Sequence, residues 1–192
     1  MNGKQKIAVF ASGSGTNFEA IAKACIKGRI NAEVALCVCD HPGAFVTERA
    51  KRLNIPVLEL RPKSFESKEE YEKEILKELN RLNVELIALA GYMRIIGATL
   101  LDAYTNKIIN IHPSLLPAFP GVDAIGQALA YGVKIFGVTV HYVDQTLDGG
   151  KIISQAAIPY DGNDRDELEA MIHAREHALY VSTLGSLVSQ LP

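Results

Sequence analysis

The sequence has no apolar run that could cross a bilayer, which argues against a membrane-spanning protein. No stretch approaches the roughly 18 uninterrupted apolar residues of a transmembrane helix. The first apolar run, Ile7 to Ala11, is too short to be the core of a signal peptide. We therefore expect a cytoplasmic protein with no membrane partner.

Cysteine is also scarce. Only three cysteines occur, at positions 25, 37 and 39. An odd number without paired spacing does not fit a disulfide framework. The two cysteines of VALCVCD have too few neighbouring ligands for zinc, and the histidines show no metal-ligand spacing. The sequence predicts reduced cysteines in the core and no metal.

A strong charge of either sign is the third absence. The chain carries 20 Lys and Arg against 22 Asp and Glu, for a net charge of −2. Proteins that bind nucleic acids usually show a basic face or stripe. In the most charged segment, ESKEEYEKEILKELNR, the two signs interleave, which is typical of a solvated amphipathic helix. We expect no nucleic-acid partner.

Short apolar runs alternate with helical patterns through the first part of the chain. The predicted strands are KIAVFAS, AEVALCVCD, IPVLEL, ELIALAG and KIINIH. The predicted helices are NFEAIAKACIKGR, GAFVTERAKRLN, a charged helix from Tyr71 to Leu82 and a short helix near Ala98–Tyr104. Continuous apolar runs are typical of strands buried on both faces. This rhythm predicts an α/β fold with an open, doubly wound, mostly parallel sheet.

The later part of the chain has a different pattern. A helix, DAIGQALAYG, ends at Gly132, and the runs IFGVTVHYVD and GKIISQAAIPY alternate more strongly, which predicts later strands, at least one of them antiparallel. A long C-terminal helix is predicted from about Asp164 to Leu191. A chain of 192 residues can bury one substantial core. We expect a single domain, 1–192, with halves of about 1–105 and 106–192.

The loop SGSGTN, Ser12 to Asn17, lies between the first strand and the first helix. Its glycines allow a sharp turn, and the helix N-terminus offers free N–H groups, which together suit a phosphate. It is not a dinucleotide fingerprint, because Phe18 stands where the third glycine would be. No Gly-Lys-Ser/Thr follows, so it is not a P-loop. The alternative is a simple turn with Thr16 or Asn17 as the helix N-cap.

The segment NKIINIHPSLLPAFPG contains the strongest candidate for chemistry. Alternation puts Asn110 and His112 on one side of an extended chain. Histidine is the natural acid or base near neutral pH. Asparagine can donate to an oxygen that develops negative charge, an effect of about 10²–10³ in rate. The prolines at 113, 117 and 120 hold the following backbone. The alternative is a structural histidine at the end of a strand.

Three loops are expected to meet at one edge of the sheet. SGSGTN, GYMRIIG and NIHPSLLP each follow a strand of the predicted parallel sheet, and ligands bind beyond the carboxyl ends of such strands. A further acid comes from DQTLDGGKI, which holds Asp144 and Asp148; the alternative there is an ordinary Asp-Gly turn. Met93 in the second loop is a candidate for the pocket or for packing.

The segment NIHPSLLPAFPG together with LDGG resembles the folate-dependent formyltransferases, in which Asn-x-His and a distant Asp form the catalytic set. Within that family, SGSGTNFEAI, LAGYMRI, GVTVHYVD and REHALY are similar to the enzymes that act on glycinamide ribonucleotide in purine synthesis. The resemblance runs from the first strand to the last helix. It implies a Rossmann-like fold, with nucleotide binding in the first half and folate binding and catalysis in the second.

The resemblance implies a role for each matching residue. The catalytic residues would be Asn110, His112 and Asp148. The substrate would be bound by Gly15, Thr16 and Asn17 at its phosphate and by Glu176 near its amine. The folate would be bound by Lys68, Met93, Arg94, Ile95, Ile96, Asn110, Val143 and Asp148.

The same resemblance implies a reaction. Its co-substrate would be 10-formyltetrahydrofolate, its other partner glycinamide ribonucleotide, and its assembly a monomer or a homodimer. Asn110 and protonated His112 would stabilise an oxyanion, with the Asp148 carboxylate favouring the charged imidazole and His112 or a water carrying the proton.

Three rival functions are weighed against this one. Methionyl-tRNA formyltransferases carry an additional C-terminal domain and formyltetrahydrofolate hydrolases an N-terminal regulatory domain, neither of which we expect here. The third rival is a nucleotide-binding protein or a dinucleotide-dependent oxidoreductase, in which Asp40 at the end of the second strand would bind a ribose.

Overall fold

The structure, a computed structural model, describes residues 3–190 and contains one seven-stranded sheet. Its strands are β1 (Gln5–Ala11), β2 (Ala32–Cys39), β3 (Val57–Glu59), β4 (Leu86–Leu89), β5 (Ile108–His112), β6 (Ile135–Tyr142) and β7 (Ile152–Pro159). Its α-helices are α1 (Thr16–Ile26), α2 (Phe45–Arg52), α3 (Lys68–Arg81), α4 (Ala98–Ala103), α5 (Ala124–Tyr131) and α6 (Arg165–Val188). A short 3₁₀ helix, Pro62–Ser64, precedes α3.

The strand order is β3-β2-β1-β4-β5-β6-β7. The first five strands are parallel, and β6 runs antiparallel to both of its neighbours. The predicted doubly wound, mostly parallel sheet with a later antiparallel strand and a long C-terminal helix is therefore confirmed. From β1 the chain adds β2 and β3 on one side and then returns to add β4 on the other side, so the switch point of the sheet lies between β1 and β4. Folds of this type bind ligands at that point.

Alternating side chains of the central strand reach opposite faces of the sheet. Ile7 and Val9 pack in a cluster that includes residues of α1, α2 and α6. Ala8 and Phe10 pack in a second cluster with residues of α3 and α4. All four are fully buried, and burying one large apolar side chain stabilises the fold by about 1.5–3 kcal/mol. The helices are therefore held on both faces by the strand alternation.

Several predicted helix boundaries shift by a few residues. The charged helix begins at Lys68, three residues before Tyr71, because the Ser67 hydroxyl accepts a hydrogen bond from the Glu70 N–H at 3.1 Å and caps the helix there. The last helix is capped by Asp164, as the prediction places its start, and it ends at Val188. Its predicted end, Leu191, lies outside the described residues.

The three cysteines are free and buried, as predicted. Burial raises the pKa of Cys25 to about 11 and that of Cys37 to about 12. These thiols are protonated at neutral pH and therefore serve as small apolar side chains. Over residues 3–190, no helix has the length and apolar character of a membrane span.

Candidate active site

The end of β5 carries Asn110 and His112, and its neighbours position them. Antiparallel pairing with β6 puts His141 opposite Asn110 and Thr139 opposite His112. The amide nitrogen Nδ2 of Asn110 lies 3.3 Å from His141 Nε2. The sequence analysis did not assign a role to His141. His141 could be identified only from the register of the β5–β6 pair, which the sequence does not reveal.

His141 is buried and held by its own strand. Its Nδ1 lies 2.9 Å from the carbonyl oxygen of Tyr142, which requires Nδ1 to be the donor. Burial lowers the pKa of His141, so the imidazole is neutral and its Nε2 is an acceptor. Nε2 therefore receives one N–H of the Asn110 amide, which leaves the other N–H of that amide for a ligand.

Asp148 reaches the same place by a different route. Because β6 is antiparallel, it does not end at the edge where β5 ends, and the loop that follows folds back towards His112. The carboxylate oxygen Oδ2 of Asp148 accepts a hydrogen bond from the Gly121 N–H at 2.8 Å and lies 3.5 Å from His112 Nδ1. Its other oxygen, Oδ1, lies 3.7 Å from His141 Nε2. The structure thus brings Asn110, His112 and Asp148 together around His141.

Glycine is required where this loop closes. A Cβ on Gly150 would lie 1.8 Å from the carbonyl oxygen of Tyr142, far inside contact distance. Asp148 itself has a φ of 50°, in the left-handed region. The Asp-Gly turn and the carboxylate contact are therefore both present at Asp148.

The second ring nitrogen of His112 has a backbone partner. Nε2 lies 2.9 Å from the carbonyl oxygen of Phe119, so this nitrogen carries a hydrogen and donates it. The loop that supplies this carbonyl is held internally, because the Ser114 hydroxyl donates to the Ala118 carbonyl at 2.6 Å. His112 is buried between this carbonyl and the Asp148 carboxylate. Its orientation is set by both.

A polar network under the proline-rich loop adds to the stiffness expected from its prolines. The Thr139 hydroxyl donates to the Ser114 carbonyl at 2.7 Å. The Thr139 hydroxyl oxygen in turn accepts from the Leu116 N–H at 3.1 Å and from Gln155 Nε2 at 2.9 Å. Thr139 is fully buried, so these bonds are costly to break. They fix the loop that ends at Phe119.

The loop between β1 and α1 leaves backbone donors free. The helix N-cap is Gly15, with a φ of 75° and no side-chain capping bond, so the alternative of Thr16 or Asn17 as N-cap is wrong. A Cβ on Gly15 would lie 2.5 Å from Val46 Cγ2, which excludes other residues from this place. Among residues 3–190, the backbone N–H groups of 14 to 17 have no hydrogen-bond acceptor. Free donors at a helix N-terminus suit an anion.

Glu176 lies beside this loop although it is 159 residues from Asn17 in sequence. Asn17 Nδ2 donates to Glu176 Oε2 at 3.0 Å, and His173 Nδ1 lies 2.9 Å from the same oxygen. That hydrogen bond to Glu176 raises the pKa of His173. The Oδ1 atom of Asn17 is buried without a partner. The sequence analysis missed His173, which stands three residues before Glu176 on the same helix face.

A tyrosine holds this part of α6 against the sheet. The Tyr180 hydroxyl lies 2.8 Å from the carbonyl oxygen of Leu89 and 3.2 Å from that of Ile109. These carbonyls belong to β4 and β5, and Tyr180 is fully buried. Glu176 precedes Tyr180 by one helical turn, so the contact fixes its height above the sheet edge.

The loop after β4 presents apolar side chains to solvent. Met93 is 76% exposed and Ile95 is 68% exposed, whereas Ile96 is buried in the core cluster beneath them. The Met93 N–H donates to the Ser12 hydroxyl at 2.9 Å, which joins this loop to the glycine-rich one. Lys68 lies alongside, since a Cβ on Gly97 would be 2.9 Å from Lys68 Cε. Neighbouring exposed apolar side chains mark a binding surface.

Arg94 belongs to that loop, and Val143 follows β6. Arg94 Nη1 is 3.8 Å from the buried carboxylate of Asp40, whose other oxygen is 3.0 Å from His41 Nδ1. This carboxylate has no exposed surface, so it is not presented to a ribose as the dinucleotide alternative requires. Val143 is half-buried and packs against the same core cluster as Ile96.

Histidine and aspartate side chains are of types that can bind a metal ion. In the described part of the chain, residues 3–190, no group of three or more His, Cys, Asp or Glu side chains is arranged to hold a metal ion.

Comparison with known proteins places this geometry in a family. A family model described as formyl transferase matches residues 5–184. The chain is 55% identical over 185 residues to phosphoribosylglycinamide formyltransferase of Bacillus subtilis (strain 168), covering 96% of this chain and 95% of that protein. The protein of that name from Escherichia coli (strain K12) is 37% identical over 91% of this chain and 82% of its own length.

A solved structure agrees with these similarities. Glycinamide ribonucleotide transformylase 1 from Geobacillus kaustophilus superposes with a TM-score of 0.94 at 55% identity, covering 96% of this chain and 99% of that one. The family match spans almost the whole sheet and most of α6. The chain belongs to the formyl transferase family.

Proposed function

We propose that this protein transfers the formyl group of 10-formyltetrahydrofolate to the amine of 5-phosphoribosylglycinamide in purine synthesis. The observation that carries the proposal is the approach of His112 Nδ1 to Asp148 Oδ2, 3.5 Å apart, beside Asn110. A loop with free backbone N–H groups follows β1, which is separated from β5 by β4 in the same sheet. The names of the similar proteins support the same substrate.

The ribonucleotide phosphate binds at the first loop. The N–H groups of Gly15, Thr16 and Asn17 lie at the positive end of α1 and donate to phosphate oxygens. The Glu176 carboxylate, oriented by Asn17, receives the substrate amine. The unpartnered Oδ1 of Asn17 accepts from the substrate, which removes the cost of leaving a buried acceptor without a hydrogen bond.

The folate binds along the loop after β4. Met93 and Ile95 cover its flat aromatic rings, and Ile96 and Val143 line the apolar base. Arg94 belongs to this loop and Lys68 lies beside Gly97, and both supply positive charge for the anionic outer part of the folate. Burying the exposed part of an apolar side chain contributes about 25 cal/mol per Å².

The chemistry then uses Asn110 and His112 at the end of β5 and Asp148 in the loop after β6. The free N–H of the Asn110 amide donates to the oxyanion that forms when the amine attacks the formyl carbon. His112 exchanges its hydrogen bond with Phe119 for one to the same oxygen. The Asp148 carboxylate, 3.5 Å from His112 Nδ1, orients the imidazole. His112 or a water carries the amine proton to N10 of the folate as the bond between N10 and the formyl carbon breaks.

The direct test is formyl transfer by the purified chain. The assay offers 10-formyltetrahydrofolate with glycinamide ribonucleotide, with Met-tRNA, or with water alone. We expect turnover only with the ribonucleotide, and a loss of about 10²–10⁴ in kcat for His112→Ala. His41→Ala is the matched control, because the His41 side chain is exposed and pairs with Asp40 rather than with Asp148, and we expect it to keep wild-type rates. Folate release in water alone would overturn the proposal in favour of hydrolysis.

The role of Asp148 has its own test. Asp148→Asn keeps the acceptor for the Gly121 N–H and removes the charge beside His112. We expect a lower kcat and a displaced pH–rate profile. A profile that matches wild type would contradict the electrostatic role of Asp148.

A further inference from the structure

Helix α2 contacts the glycine-rich loop at three successive residues. The Val46 N–H donates to the Gly13 carbonyl at 3.0 Å, and the Val46 side chain packs against Gly15. Between these contacts, Arg49 Nε donates to the Ser14 carbonyl at 2.7 Å. None of these atoms belongs to the group that binds substrate in the proposed function.

The two carbonyl contacts decide where the loop N–H groups point. In a planar trans peptide, the C=O of one residue and the N–H of the next lie on opposite sides of the chain. Holding the Gly13 carbonyl towards Val46 turns the Ser14 N–H away from α2. Holding the Ser14 carbonyl towards Arg49 likewise turns the Gly15 N–H away. These are donors that have no acceptor among residues 3–190.

The Arg49 guanidinium is itself fixed. Its Nη1 forms an ion pair with the Glu19 carboxylate on α1. Its carbon Cζ lies 4.9 Å from the centre of the Phe45 ring, over the face of that ring. Only 18% of its side chain is exposed. A guanidinium that is already held by these two contacts loses little further freedom when it bonds the Ser14 carbonyl.

We propose that Arg49 is a positioning residue for the substrate phosphate, which acts by holding the Ser14 carbonyl so that the loop N–H groups converge on the anion. The proposal rests on the proposed function for its substrate, and its ligand chemistry is a phosphate monoester. Arg49 acts through the backbone and does not touch the phosphate. Its loss therefore weakens phosphate binding and leaves the formyl-transfer step and folate binding intact.

The test compares Arg49→Gln with Arg52→Gln. Arg52 stacks on the same Phe45 ring, with Cζ 5.2 Å from the ring centre, and makes no bond to the loop. For Arg49→Gln we expect KM for glycinamide ribonucleotide to rise about tenfold or more, as loss of a charge-assisted hydrogen bond predicts. The kcat and the KM for 10-formyltetrahydrofolate stay near wild type. Arg52→Gln should leave all three constants unchanged.

Two further measurements separate the possible failures. Binding of inorganic phosphate, followed by ³¹P NMR, tests the loop without any turnover and should weaken in parallel in Arg49→Gln. Arg49→Lys keeps the charge and a donor but loses the planar fork that contacts Ser14 and Glu19 together. A wild-type KM in this variant would therefore overturn the requirement for a fixed guanidinium. Thermal unfolding of each variant shows that the fold is retained.

The outcomes distinguish this inference from the proposed function. If wild type binds phosphate but does not formylate the ribonucleotide, the proposed function fails, and the inference stands only if Arg49→Gln weakens that binding. If wild type does not bind phosphate, the inference is overturned. An equal fall in kcat with both substrates would also overturn it, because that result indicates general damage to the site.

Discussion

At the scale of single residues, the site depends on one histidine that the motif does not contain. Asn-x-His supplies Asn110 and His112, but the orientation of the Asn110 amide is set by His141. A neutral imidazole whose Nδ1 donates to the Tyr142 carbonyl can only accept at Nε2. The amide nitrogen of Asn110, and not its oxygen, therefore points towards His141.

The first prediction concerns the pH dependence of stability through His141. Burial lowers its pKa from the ordinary value of 6.5, so the unfolded chain binds more protons than the folded one between the lowered value and 6.5. The free energy of unfolding therefore falls as the pH drops below about 6.5 and levels off below the folded-state pKa. We expect His141→Gln to lose this part of the acid sensitivity in urea unfolding at several pH values.

His41→Gln serves as the control for that series, since His41 is largely exposed. It should keep the wild-type slope of unfolding free energy against pH. An unchanged slope in His141→Gln would show that the buried imidazole is not the group responsible.

At the scale of elements, the turn from β1 into α1 depends on a glycine. Gly15 has a φ of 75° and lies against Val46, whereas Gly13 in the same loop has open space where a Cβ would be. The two glycines of SGSGTN look equivalent in the sequence. Packing of α2 against the loop distinguishes them, and helix packing is a tertiary property.

The second prediction uses this pair of glycines. Gly15→Ala must accept a left-handed conformation and displace Val46, so we expect a loss of about 2–4 kcal/mol in unfolding free energy. Gly13→Ala should lie within about 0.5 kcal/mol of wild type. Urea unfolding of both variants is the measurement. Equal losses would mean that the loop, and not the Val46 contact, sets the requirement.

The third prediction concerns the contact of α6 with the sheet. Tyr180→Phe removes the hydroxyl that bonds the Leu89 and Ile109 carbonyls and leaves them buried without this donor. We expect a loss of about 1–2 kcal/mol in unfolding free energy. We also expect a higher KM for the ribonucleotide, because Glu176 stands one turn away. Tyr131→Phe, at an 81% exposed position, is the control and should change neither quantity.

At the scale of the whole molecule, the proposed binding loops lie beyond β1 and β4, and the proposed catalytic residues at the end of β5 and in the loop after β6. In the sheet, β4 lies between β1 and β5 and is parallel to both. Helix α6 brings Glu176 to the loop after β1. Ligand binding at such a site is expected to stabilise the sheet and α6 together, since residues from both form it.

The fourth prediction follows from that coupling. Glycinamide ribonucleotide at 100 times its dissociation constant should raise the unfolding free energy by about 2.7 kcal/mol. For a chain of this size each kcal/mol corresponds to roughly 2–4 °C in Tm. His112→Ala, which lacks turnover, should gain the same shift because its phosphate loop is intact. A variant without the shift would show that His112 contributes to binding as well as to chemistry.

Much of the fold could be predicted from local patterns. Apolar runs such as that of β1 are long enough to be read as buried strands, and their alternation with amphipathic helices specifies a parallel sheet. The start of α6 was predictable from its Asp164 cap. The start of α3 was predicted three residues late, although the Ser67 side chain caps that helix. The start of α1 was not predictable, because its cap is a glycine backbone whose conformation depends on Val46.

The candidate site was only partly predictable for the same reason. Asn110 and His112 are two residues apart on one strand, so strand alternation alone places them together. Glu176 and Asn17 are separated by most of the chain, and their hydrogen bond depends on how α6 docks. Glu176 was predicted from the family resemblance, whereas no role was predicted for His141 or His173.

The sequence by itself therefore determined the strands, the helices, the candidate phosphate-binding loop and the Asn-x-His pair, since each depends on residues a few positions apart. The tertiary structure decided the β5–β6 register that puts His141 opposite Asn110. It also decided the approach of Asp148 to His112 and the hydrogen bond from Arg49 to the Ser14 carbonyl. These contacts join residues that are distant in the chain. Their geometry is set by packing and hydrogen bonding of whole elements, which local sequence patterns do not encode.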